Sequence, residues 1–132
     1  MGCDVHMMIE YDRFGGADNE PRAWWSFGGV IGPGRDYDMF GHLAGVRYEE
    51  NEHIRPRGLP DNLSYDAKDY FDNDDIHSVT WLTYEEYAAA YGRRMFGNEH
   101  GPPAIAYEVI LVMLKAFKDR DVPARLIIGF DN

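Results

Sequence analysis

Two stretches decide how this chain folds: Met1-Gly2-Cys3-Asp4-Val5-His6-Met7-Met8-Ile9-Glu10, and Arg125-Leu126-Ile127-Ile128-Gly129-Phe130-Asp131-Asn132 at the far end of the 132 residues. The first alternates. Cys3, Val5, Met7 and Ile9 point one way, and Asp4, His6, Met8 and Glu10 point the other. That is a strand with an apolar face for a core, expected from Cys3 to Tyr11 or Asp12. Its other face carries a carboxylate and an imidazole two residues apart, close enough to bind one ion or one substrate group. The second stretch reads as a terminal strand. If the two strands are antiparallel neighbours, Asp4 and His6 lie beside Asp131 and Asn132; if parallel, these groups lie at opposite ends of the sheet. Alternation alone does not choose between the two pairings.

Working inward, Ala23-Trp24-Trp25-Ser26-Phe27 suits a hairpin partner for the first strand. Gly28 to Gly34 reads as a glycine-rich loop without the spacing or the Lys of a phosphate-binding Walker loop. Asp36 to Val46 has helical spacing at Tyr37, Phe40, Leu43 and Ala44, with Asp36 as its cap. Arg47 to Asp75 is polar and irregular, with a short helix expected to start within Pro60-Asp61-Asn62-Leu63-Ser64. Thr83-Tyr84-Glu85-Glu86 is a capping box opening a helix that ends by Gly97. A third helix, Ala104 to Lys118, presents Ile105, Val109, Val112, Met113 and Phe117 as its apolar stripe. The sum is an α+β single domain, residues 1–132: one mainly antiparallel sheet holding both terminal strands, packed with about three helices.

Composition narrows the classes of function. Hydrophobic residues make up 45% of the chain and aromatics 14%, as in a folded globular protein. A formal charge of −10 argues against duplex nucleic acid and against anionic membranes as partners. The longest strictly apolar run, Val109 to Leu114, is far too short to span a bilayer. A single cysteine cannot form an internal disulfide, and no signal peptide precedes the first strand, so a cytoplasmic protein is expected.

Ten of the thirteen basic residues are Arg, and guanidinium forks grip carboxylates and phosphates where an ammonium cannot. Arg35, Arg47, Arg55 and Arg57 are closely spaced. They form either surface ion pairs with the many acids or an anion pocket within an acidic protein. Asp4, His6 and Asp131 brought into one corner, with His77 as a further ligand, suit a divalent metal such as zinc, manganese or iron. His77 and Ser78 otherwise tie down the long loop, or His77 acts as a general base. Cys3 is either a nucleophile with His6 or His77 as base, or a buried, unreactive thiol. His42, His53 and His100 read as ordinary exposed histidines.

The opening Met-Gly-Cys-Asp-Val-His, Arg35-Asp36-Tyr37-Asp38-Met39-Phe40-Gly41-His42-Leu43-Ala44-Gly45-Val46-Arg47 and Arg57-Gly58-Leu59-Pro60-Asp61 recur together in a known setting. With His77-Ser78-Val79-Thr80-Trp81-Leu82 and the closing Phe130-Asp131-Asn132, they resemble a family of small bacteriophage and prophage proteins. The resemblance implies expression inside an infected bacterium and an accessory or host-directed role, and it brings no mechanism. By position it picks out Cys3, Asp4, His6, Arg35, Arg47, Arg57, His77 and Asp131.

Two functions are therefore expected of the chain. The first is a small hydrolase of a phosphate-containing metabolite or nucleotide. In it Asp4, His6, His77 and Asp131 supply metal ligation or acid–base chemistry, while Arg35, Arg47, Arg57 and Ser78 hold the substrate. The second is a non-catalytic module that captures a nucleotide or docks on a host protein through its acidic surface. A third, purely structural possibility is a buried polar network that fixes the loop from Arg47 to Asp75.

Overall fold

A computed structural model describes residues 2–14, 23–47, 54–97 and 101–132, so His53 and His100 lie outside the described residues. The chain runs β1 (Asp4–Asp12), β2 (Trp24–Ile31), α1 (Tyr37–Ala44), α2 (Tyr65–Phe71), β3 (His77–Leu82), α3 (Tyr84–Gly97), α4 (Ile105–Asp119) and β4 (Ala124–Asp131). The strands form one antiparallel sheet in the order β2-β1-β4-β3, with the two terminal strands paired at its centre. The register sets Asp4 opposite Asp131, His6 opposite Gly129 and Glu10 opposite Arg125. The antiparallel alternative left open by the sequence is the one adopted.

The alternation of β1 holds, and both faces of the sheet are covered. Val5, Met7 and Ile9, with Leu126, Ile128 and Phe130 of β4, meet Phe40 and Leu43 of α1, Tyr87 of α3 and Ile110 and Leu114 of α4 in the main core. On the opposite face Met8 and Ile127 pack against Ala67 and Phe71 of α2 in a smaller cluster. The face read as polar is thus half apolar, and Glu10 is fully buried on it.

Two expectations are corrected, and one is met. β2 does not stop at Phe27 but continues to Ile31, because Gly28 takes a left-handed φ of 77° and lets the chain bulge before Ile31 pairs with Met7. The short helix expected to start within Pro60–Ser64 is present as α2, the fourth helix, and it begins after Ser64, whose hydroxyl accepts from the Ala67 N–H. In α4 the buried residues are Tyr107, Ile110 and Leu114, whereas Ile105, Val109 and Val112 of the expected stripe are exposed. That helix is apolar around most of its circumference, so spacing alone does not say which side turns inward. Other signals hold. Asp36 caps α1 through the Met39 N–H at 2.8 Å. Thr83 and Glu86 exchange both bonds of the capping box. Among the described residues no helix is long and apolar enough to cross a membrane.

Two buried ion pairs bind the layers. Arg94 of α3 donates from Nε to Asp36 at 3.0 Å, fastening α3 to the start of α1. Arg125 donates from Nε to Glu10 Oε1 at 2.6 Å, and Glu10 Oε2 accepts from the Ser64 N–H just ahead of α2. Removing one partner of such a pair leaves an uncompensated buried charge. Glu10→Ala is expected to cost about 3–5 kcal/mol, read as a lower denaturant midpoint; an unchanged midpoint would show the pair to be dispensable.

Two tyrosines give the fold an alkaline limit. Tyr87 donates to the Tyr107 carbonyl at 2.8 Å, and the Tyr107 hydroxyl donates to the Gly34 carbonyl. Burial raises both phenol pKa values far above the ordinary one. The folded chain therefore keeps protons that the unfolded chain releases above pH ~10. Their contribution is complete below that pH and is lost as pH rises beyond it. Thermal melts from pH 8 to 11 should show a falling midpoint above pH ~10, and a Tyr87→Phe variant a shallower fall.

Candidate functional site

The end of the sheet where β1 starts and β4 finishes gathers most of the residues singled out in the sequence. Gly129 is the key position. A Cβ there would run into Ile76 and Phe71, so only glycine lets this part of the chain close against β4 beside His6. Tyr70 of α2 then reaches the imidazole. His6 Nδ1 lies 2.7 Å from the Tyr70 hydroxyl, and His6 Nε2 lies 2.8 Å from Asp131 Oδ2. An ionised carboxylate only accepts, so Nε2 carries the proton, and in the neutral ring Nδ1 accepts from Tyr70. The result is a carboxylate–imidazole–phenol chain across β4, β1 and α2. Burial, and then the Asp131 charge, raise the Tyr70 pKa, so the phenol stays protonated at neutral pH and keeps donating.

Asp4 belongs to a different contact. Arg35 Nε donates to Asp4 Oδ1 at 2.7 Å, which lowers the Asp4 pKa and raises that of Arg35. The pair is exposed. Gly2 closes over it, since a Cβ at that position would strike the Arg35 guanidinium.

The four expected metal ligands do not converge. His77 stacks on Phe130, a main-core residue, while His6 sits with Tyr70 on the α2 side of the sheet. Both nitrogens of His77 have partners as well, Ser78 Oγ at 3.0 Å and Asn132 Oδ1 at 2.8 Å. A metal-binding imidazole gives one nitrogen to the ion, and neither His6 nor His77 has one to spare. Among the described residues no three His, Cys, Asp or Glu side chains are grouped to hold a metal ion. The grouping of Asp4, His6, His77 and Asp131 is therefore replaced by three separate contacts: Asp131–His6–Tyr70, Asp4–Arg35 and His77–Asn132. Ser78, expected on a substrate, occupies a left-handed φ of 53° where β3 is irregular and bonds His77 instead.

The expected arginine trio also separates. Arg47 lies over the Tyr37 ring at 5.6 Å, and Tyr37 accepts from the Cys3 N–H, so Arg35 and Arg47 stay near the start of β1. Arg57 pairs with Glu86 and lies 4.6 Å from the Trp81 ring, along β3. Cys3 itself is fully buried, and burial raises its thiol pKa against the opposing pull of Arg47. It is the inert thiol rather than the nucleophile.

A second polar site contains residues that the sequence did not bring together. A cleft of about 250 Å³ opens between α1, α3, β3 and the chain before Gly58, with Arg55, Arg57, Arg93, His42, Thr80 and Glu86 in its lining. Arg93 donates to the His42 carbonyl at 3.2 Å, and Arg55 to the Ile54 carbonyl at 3.4 Å. Burial, then the Arg93 charge, lower the His42 pKa, so this imidazole is half-buried and neutral rather than freely exposed. Tyr70 and Arg93 sit on helices whose sequence gave no functional signal. The close spacing of Arg55 and Arg57 was the only pointer to the cleft. No known protein family, curated protein or solved structure matches this chain.

Tyr70→Phe deletes one hydroxyl and leaves His6 Nδ1 without its donor. The expected loss is about 1 kcal/mol in chemical denaturation, with α2 amides exchanging faster with solvent. Unchanged exchange in α2 would mean that the hydroxyl does not hold the helix to the sheet.

Proposed function

We propose that this protein is a binding module that captures a small anion, a phosphate group or a carboxylate, in the cleft formed by Arg55, Arg57 and Arg93. The observation that carries this reading is a concentration of three guanidinium groups beside the carboxylate of Glu86 among the described residues of the lining, in a chain of net charge −10. Each guanidinium has five donors. Arg55 and Arg93 are held by one backbone carbonyl each, and Arg57 by Glu86, so most of the donors remain for a ligand. Leu43, Leu82 and Ala89 form the apolar part of the lining, beside guanidinium groups that stay open to solvent. Capture is favoured over the expected hydrolysis because His6 and His77, the imidazoles expected to carry it, are held by internal partners away from this cleft, whose lining holds His42 instead. The resemblance to phage and prophage proteins supports a place for this capture in the cytoplasm of an infected bacterium.

Inorganic phosphate and pyrophosphate, titrated by calorimetry at low salt, test the proposal. Saturable binding is expected, weakened by about tenfold or more in Arg93→Gln and again in Arg55→Gln, since a hydrogen bond to a charged group is worth roughly 1.5–3 kcal/mol. Bound phosphate should also raise the His42 pKa, followed by imidazole NMR. Absence of saturable binding, or equal binding by the double variant, overturns the proposal.

A further inference from the structure

At the opposite end of the sheet from Asp4 and Asp131, a second cleft of about 320 Å³ is walled by Trp24 of β2, Trp81 of β3 and Tyr84 of α3. We infer that it binds a planar aromatic heterocycle that presents a hydrogen-bond acceptor on its edge. This does not rest on the anion site, which is lined by different residues.

Three features converge on that class of ligand. The volume lies at the small end of the range for small-molecule sites, enough for a base or nucleoside and too little for a dinucleotide. The aromatic walls come from three separate elements; Arg125 covers one face of Trp24 and Arg57 lies over Trp81, which leaves Tyr84 and the remaining faces for a ring to stack on. Within the cleft one polar group is held in a fixed orientation. Arg125 is buried and stacked on Trp24 with its Cζ 4.0 Å from the ring centre, and its Nε is fixed by Glu10 at 2.6 Å. Its Nη1 donates to Asn62 Oδ1 at 3.0 Å, and its Nη2 to the Asn62 carbonyl at 3.2 Å. A guanidinium has no acceptor, so this bond fixes which end of the Asn62 carboxamide is oxygen. The Nδ2 group is thereby left to donate, and a ring nitrogen or carbonyl oxygen is its complement. Lys118 and Glu85, paired at 2.7 Å and exposed, add a polar rim. A purely aliphatic ligand would waste both the stacking faces and the oriented amide.

The test uses the full chain and adenosine, which carries a ring and no phosphate. Tryptophan fluorescence should be quenched saturably by adenosine and not by ribose 5-phosphate. Affinity should fall about tenfold or more in Tyr84→Leu, the scale of one lost base–aromatic stack. It should fall again in Ala124→Phe, which fills the cleft without removing a wall, with circular dichroism confirming that both variants fold. Adenosine binding should persist in Arg55→Gln/Arg93→Gln, so failure of the anion site and failure of this one are separable. No saturable quenching, or quenching that neither Tyr84→Leu nor Ala124→Phe alters, overturns the inference.

Discussion

The buried pair of Glu10 and Arg125 is the constraint from which the rest of this structure follows. Glu10 is fully buried and Arg125 nearly so, and two charges are tolerated there because they meet each other and are further bonded by the Ser64 N–H and by Asn62. The pair locks the register of β1 against β4, since a slip of one residue would put Glu10 and Arg125 on opposite faces of the sheet and leave each buried charge without the other. Through the Ser64 N–H it fixes where α2 begins, through Asn62 it holds the approach to that helix, and through Trp24 it reaches β2. Four segments distant in sequence are tied at one point, and the two ends of the sheet become separate places for chemistry.

The consequence at the other end is geometric. With Glu10 opposite Arg125, antiparallel pairing sets His6 opposite Gly129 and Asp4 opposite Asp131. Gly129 makes room for Phe71 and Ile76 beside His6, and α2 docks with Tyr70 over the imidazole. His6 and Asp131 are therefore neighbours because the strands pair, but they serve to hold a helix. The polar groups that seemed most reactive in the sequence are the ones most fully used by the fold.

Much of the architecture was legible because it rests on local signals. The alternation Cys3-Val5-Met7-Ile9, the Asp36 cap and the Thr83–Glu86 box each act within a few residues, and each appears as expected. What escaped depends on distance along the chain. The start of α2 was legible but its extent was not, because Tyr65–Phe71 offers only Ala67 and Phe71 to a core. The inward face of α4 is decided by which helices it meets, and its sequence offers more than one apolar side. The site residues divide the same way. Asp131 and His6 could be joined once pairing was assumed, whereas His77 was assigned with them although β3 turns it toward Phe130. Ring stacking on the opposite face of a sheet leaves no trace in spacing.

The arginines show why position matters more than number. Arg35 and Arg57 each face a carboxylate, Asp4 and Glu86, but in different surroundings. Arg35 lies in the open with a single acid, where solvent screens the pair and little field remains for a third group. Arg57 shares its acid with a cleft that also holds Arg55 and Arg93, so among the described lining residues the local sum stays positive after Glu86 is counted. A field of one sign within a cleft is focused rather than dispersed. The acidic balance of the chain, a net charge of −10, sharpens the contrast. An excess of acids over the whole chain is thus compatible with anion capture and makes it selective for one place, provided that the cationic side chains are gathered by the fold and not merely near one another in sequence.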